Sequence, residues 1–161
     1  MLTIIDTGIA NVGSIKYKLF NHGLESIIGN SPEDITNSSK LILPGVGNFK
    51  EAMNKLEQRN LIQSLHESVL DKKIPILGIC LGMQLFANNS EEGQSKGLGW
   101  LDANVEKFDK SILNMGYKIP HVGWNEINIS NSNLLFDNIP LDHKFYFTHS
   151  YHMVCNNKED R

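Results

Sequence analysis

Four short apolar runs, at residues 2–5, 24–28, 40–43 and 74–79, are separated by stretches whose apolar residues recur at helical spacing. That alternation constrains the chain more than any other feature of it. A strand buried on both faces reads as an unbroken apolar run, and LTII at residues 2–5 is one. After a polar loop, Val12, Ile15, Leu19 and Phe20 fall near one face of a helix predicted over 12–22, with Gly23 at its C-cap. Ser31-Pro32-Glu33 supplies a capping residue and then Pro at a first helical position. Ala52, Met53 and Leu56 form another stripe, followed by Leu61, Ile62, Leu65 and Val69. The third strand is expected to end at Pro44-Gly45, and the fourth to give way to a helix over 81–87.

Strands that alternate with helices pair in parallel, because each helix carries the chain back across the sheet. Beyond about residue 100 the pattern changes. Strands are expected over 104–108, 125–129 and 145–151, some of them antiparallel, and NNSEEGQSKGLG reads as a surface loop. The predicted class is therefore α/β: a flavodoxin-like, mostly parallel sheet with helices on both faces and some antiparallel strands in the C-terminal third. A chain of 161 residues suits one domain, spanning 1–161.

Composition excludes some functions. The formal net charge of −3 gives no electrostatic basis for a nucleic acid or an anionic membrane as partner. No segment approaches the ~18 apolar residues of a membrane span, and the N-terminus lacks a basic leader pattern. The two cysteines, Cys80 and Cys155, have no metal-site or CxxC spacing. No metal and no cofactor are expected, and two reduced thiols suit a reducing cytoplasm.

Cys80 stands in Gly78-Ile79-Cys80-Leu81-Gly82, after a strand and before a helix. A cysteine after a strand is more often a buried small hydrophobe. The two glycines favour a nucleophile instead, because side chains two residues either side would crowd a sharp strand-to-helix turn. The helix start places unpaired N–H groups beside the sulfur, which favours the thiolate. Acyl transfer also needs donors for the developing oxyanion. The Leu81 N–H is one, and LPGVGNF at 43–49 offers another around Val46 and Gly47 at the same sheet edge. A phosphate-binding turn fits poorly, since neither G-x-G-x-x-G nor a P-loop lysine is present.

GICLGMQLF followed by SEEG, together with LPGVGNF, IPHVGWN and YFTHSY, resembles the class I glutamine amidotransferase family. Within it, the chain is similar to glutaminase subunits of imidazole glycerol phosphate synthase. The resemblance runs in order from the first strand to Tyr151. It implies that Cys80 attacks the side-chain carboxamide of glutamine, forms a thioester and releases ammonia to a (β/α)-barrel synthase or cyclase subunit in a heterodimer. By position it implies glutamine-binding roles for Gln84, Glu92, His149, Ser150 and Tyr151. It places IPHVGWN near the partner, where Trp124 reads as a packing or interface aromatic; His121, after a proline in a Gly-containing loop, reads as a hydrogen-bonded structural residue.

The family's catalytic base is a His-x-Glu segment beyond the HSY strand. Of the six histidines here, none is followed two residues later by a carboxylate, and Val154 stands where His152 would need one. The resemblance therefore implies a member lacking its C-terminal segment and inactive alone. The first loop, DTGIAN, has Thr7 and Ala10 where the family often has Tyr and Gly. That leaves open a glutaminase feeding a sugar-amidating synthetase, and the absent His-x-Glu leaves open a catalytically silent binding or regulatory subunit.

Overall fold

The computed structural model describes residues 1–129, 135–137, 139–140 and 142–160. Its first half is β1 (Leu2–Ile5), α1 (Val12–Asn21), β2 (Ser26–Gly29), α2 (Pro32–Thr36), β3 (Lys40–Gly45), α3 (Phe49–Gln58), α4 (Leu61–His66), β4 (Ile76–Cys80) and α5 (Leu81–Gln84). The strands form one parallel sheet in the order β2-β1-β3-β4. That is the flavodoxin-like order, in which the C-terminal strand ends gather the loops that build a site.

The helices start where the side chains satisfy their free N–H groups. Ser31 caps α2, and Asp34 returns a bond to the Ser31 N–H, closing a capping box behind Pro32. Asn48 caps α3 through the Glu51 N–H. On one sheet face Ile5, Leu41 and Leu43 pack with Ile35, Phe49, Ala52, Leu56, Leu61 and Leu65 in a core closed to solvent. α1 packs on β1 and β2, and none of its residues is buried. Pairing aligns Ile4 with Ile42 and Ile42 with Leu77, so these share one face. Ile4 and Ile42 are covered, but Leu77 and Ile79 of β4 are each 39% exposed. Among the described residues β4 pairs only with β3.

The second half builds two further sheets. β5 (Asn89–Ser90), β6 (Ser95–Lys96), β7 (Ala103–Lys107) and β10 (Tyr151–Cys155) form one in the order β10-β7-β5-β6. Ala103 and Val105 of β7 extend the core. β8 (His121–Glu126) and β9 (Lys144–His149) form an antiparallel pair.

Several expectations need correction. β3 runs through Pro44 and Gly45, which pair with Ile79 and Cys80. The helix after Cys80 stops at Gln84 and not at residue 87. The N–H groups of Phe86 and Ala87 bond three residues back, to the carbonyls of Met83 and Gln84, and the Asn88 N–H goes to the Ala103 carbonyl, so the four-residue ladder of an α-helix ends there. The polar stretch at 88–99 is a small hairpin, not a simple loop. The strand expected at 125–129 lies at 121–126 because its partner is β9. The run expected at 145–151 is broken at Ser150, and its two halves join different sheets.

Candidate active site

Cys80 ends β4 and starts α5 with φ 54° and ψ −118°, a conformation rarely held by a residue with a side chain. Two contacts impose it. A Cβ on Gly78 would lie 2.5 Å from Met83 Cα, and one on Gly82 only 1.8 Å from the Leu43 carbonyl oxygen. The helix can double back over the strand end only because neither position has a side chain. The thiol itself is exposed.

It opens into a cavity of about 400 Å³ lined by Val46, Gly47, Cys80, Leu81, Gln84, Glu92, Pro120, Thr148, His149, Ser150 and Tyr151. All the residues expected at the site from sequence line this one cavity. Pro120 and Thr148 were not anticipated, although both sit inside the motifs IPHVGWN and YFTHSY. Gly47 holds φ 93° with open space around it, and β3 brings Gly45 into register with Cys80. The loop at 46–48 therefore borders the same cavity as the sulfur.

Two bonds fix the far wall. The Tyr151 carbonyl accepts from Gln84 Nε2 at 3.1 Å and meets His149 Nδ1 at 2.8 Å. A carbonyl has no proton to give, so His149 Nδ1 carries one. In a neutral ring His149 Nε2 is then an acceptor, and it lies 3.1 Å from His121 Nδ1, which donates. Both nitrogens of His149 are thus engaged. No other histidine lines the cavity among the described residues. Phe108 stacks on His152 at 4.7 Å and His121 on Phe147 at 5.0 Å, so this wall is braced by rings. Glu92 accepts the Phe49 N–H at 2.8 Å through one carboxylate oxygen. Among the described residues no group of three or more His, Cys, Asp or Glu could hold a metal ion.

An exposed cysteine on a strained turn, beside a glycine loop and a carboxylate, is the arrangement of an acyl-transfer site. Residues 3–160 match the family described as glutamine amidotransferase class-I. This chain belongs to the class I glutamine amidotransferases. Subunit HisH 2 of imidazole glycerol phosphate synthase from Methanococcus maripaludis is 48% identical over 160 residues, which is 99% of this chain and 78% of that protein. Subunit HisH 1 from Campylobacter jejuni is 42% identical over 156 residues, covering 96% and 76% of the two chains. HisH from Leptospira borgpetersenii is 38% identical over 160 residues, covering 99% and 78%. A solved structure of a GMP synthase component from Thermoplasma acidophilum superposes with a TM-score of 0.65 at 21% identity, over 95% of this chain and 66% of that one. A crystallised glutamine amidotransferase gives 0.61 at 17% identity, over 77% and 62%. At these identities the two structures speak for the amidotransferase fold alone.

Proposed function

We propose that this amidotransferase is the glutaminase subunit of an imidazole glycerol phosphate synthase, acting in histidine biosynthesis. The observation that carries the reading is Cys80, held at φ 54° on the elbow and facing Gly47, Leu81 and Glu92 across one cavity. The Cys80 thiolate attacks the carboxamide carbon of glutamine. The tetrahedral oxyanion accepts from the Leu81 N–H and from an N–H of the Val46-Gly47 loop. The C–N bond breaks, the nitrogen takes up a proton and ammonia departs, leaving a thioester. Water then attacks that carbonyl, glutamate leaves and the thiol is restored. Glu92 complements the α-ammonium of the substrate, while Gln84, His149, Ser150 and Tyr151 bound its backbone end.

The step that the described residues do not supply is proton transfer, because both His149 nitrogens are occupied. A base from outside them would complete the site, and residues 1–161 without one would turn glutamine over slowly. General acid–base assistance is worth ~10²–10⁴-fold. Glutamate release should therefore rise by about that factor when the chain is extended by a family-like tail carrying His-x-Glu. Equal rates would make His149 or His152 the base.

The ammonia acceptor is a (β/α)-barrel cyclase, in a cytoplasmic heterodimer. No helix among the described residues is long and apolar enough to cross a membrane. The surface suited to the partner is the outer face of the β8–β9 pair. Trp124 is 69% exposed there, and its ring meets that of Tyr146 edge-on, with Val122 alongside. Aromatic residues of this kind anchor interfaces. A binding assay with the barrel cyclase of the same organism tests this. Trp124→Ala should weaken association, and tight binding to a sugar-amidating synthetase instead would reassign the partner.

A further inference from the structure

The loop at 46–48 spans only three residues between β3 and α3. At its start a Cβ on Gly45 would lie 2.7 Å from the Gly82 N, so that end is pressed against the elbow. At its other end the Phe49 N–H is held by Glu92 Oε2 at 2.8 Å, and the Phe49 ring is fully buried. Glu92 is itself fixed, since its own N–H donates to Ser90 Oγ at 3.0 Å and Ser90 is nearly closed to solvent. The next residue, Gly93, turns at φ 79° directly over the first turn of α3, where a Cβ would lie 2.6 Å from Lys50 Cβ. The segments at 90–93 and 49–50 are thus packed together 43 residues apart in sequence.

We infer that Glu92 is a positioning residue for the oxyanion loop, in addition to its contact with the substrate. One oxygen of its carboxylate ties down the C-terminal end of the loop that presents Val46 and Gly47 to Cys80. The other is left for the substrate ammonium. The inference rests on the glutaminase reading, and it joins two steps of that reaction in one side chain. Recognition of the amino-acid end of the substrate and placement of the donors for the oxyanion share the same carboxylate. A carboxylate also sits favourably on the first N–H of a helix, which makes this tie stronger than a neutral one.

The two roles separate by substitution. Glu92→Ala removes both. Glu92→Gln keeps a carbonyl oxygen that can accept from the Phe49 N–H but has no charge for an ammonium. The probe is the mono-p-nitrophenyl ester of glutarate, which lacks the α-ammonium. The Cys80 sulfur bonds to the acyl carbon, the ester C–O bond breaks, and p-nitrophenolate leaves with the electron pair without needing a general acid. Alkylation by iodoacetamide, which forms no oxyanion, reports thiol access and folding. Glu92→Ala should slow acylation at least about tenfold, part of the ~10²–10³ lost when an oxyanion donor is removed outright. Alkylation should stay within about twofold, and Glu92→Gln should restore acylation. Unchanged acylation in Glu92→Ala would overturn the inference, as would failure of Gln to rescue. Amide exchange at Phe49 gives a second reading that needs no chemistry at Cys80: it should accelerate in the Ala variant and not in the Gln variant. If the unsubstituted chain is alkylated but never acylated, the glutaminase reading fails, and unaltered Phe49 exchange in Glu92→Ala would remove the tie as well.

Discussion

Gly82→Ala tests the elbow most severely. The added Cβ would stand 1.8 Å from the Leu43 carbonyl oxygen, 2.7 Å from its carbon and 3.1 Å from the Pro44 carbon. Cβ contacts under 3.0 Å are essentially unknown, so strand and helix must part by roughly 1.2 Å. Both contacting groups are backbone, and no rotamer change can relieve them. The strain falls within a five-residue pairing that runs from Leu41–Ile76 to Gly45–Cys80, at its third and fourth positions. Overpacking of this kind costs about 1–3 kcal/mol, and a broken ladder hydrogen bond adds about 1 kcal/mol. Together they remove about 2–4 kcal/mol, a large part of an ordinary domain's ~5–15 kcal/mol. At this chain length that lowers the melting temperature by about 4–16 °C. Urea unfolding followed by circular dichroism reads the midpoint, and a loss under about 1 kcal/mol would refute the close-approach argument. A folded Gly82→Ala protein whose Cys80 is alkylated at the original rate would also show that the turn tolerates separation.

Three more outcomes are expected. Gly13→Ala should have the opposite sign: its position near the start of α1 meets only Asn11 Oδ1 at 3.7 Å, so stability should rise by about 0.4–1 kcal/mol in the same urea assay. Asp34 is held below its ordinary value of 3.8 first by the Asn30 N–H and then by the Ser31 hydroxyl and N–H. Its folded value is therefore the depressed one, so its contribution is complete above the unfolded value and lost as pH falls through the folded value. Asp34→Asn should cost on the order of 1 kcal/mol or less at neutral pH, since the group is half-exposed and screened, and nothing at strongly acid pH; urea midpoints across an acid series check this. Iodoacetamide at neutral pH should modify Cys80 before Cys155, because Cys80 is exposed while Cys155 is partly covered and points its sulfur at the Asp160 carbonyl; peptide mapping that finds Cys155 labelled first would count against the elbow.

The parts of the fold legible in the sequence are those encoded by neighbours. The apolar runs of β1, β3 and β4, the Ser31-Pro32 helix start and the glycines two residues either side of Cys80 each state a local requirement, and the structure shows the contact behind it. What escaped is non-local. Nothing in residues 81–87 reveals that the Asn88 N–H will be claimed by the Ala103 carbonyl, 15 residues on, which draws the chain out of the helix after a last tightened turn. β8 is misplaced in a pattern reading because Gly123 and His121 suit a loop until β9 pairs with them. The same holds at the site. The motifs point to Glu92 and His149 as substrate neighbours. Only the folded chain shows one bonded to Phe49 and the other locked between His121 and the Tyr151 carbonyl.

The half-bare face of β4 has a thermodynamic consequence. A strand with one edge unpaired among the described residues, and two large apolar side chains each 39% exposed, will be stabilised by anything that lies down on it, another copy included. Stability gained in that way follows mass action, about 2.7 kcal/mol at a hundredfold excess over the dissociation constant. If what lies down on it is a second copy, concentration becomes a variable of the folded state in the way temperature is, and a concentrated sample melts above a dilute one of the same sequence and the same core.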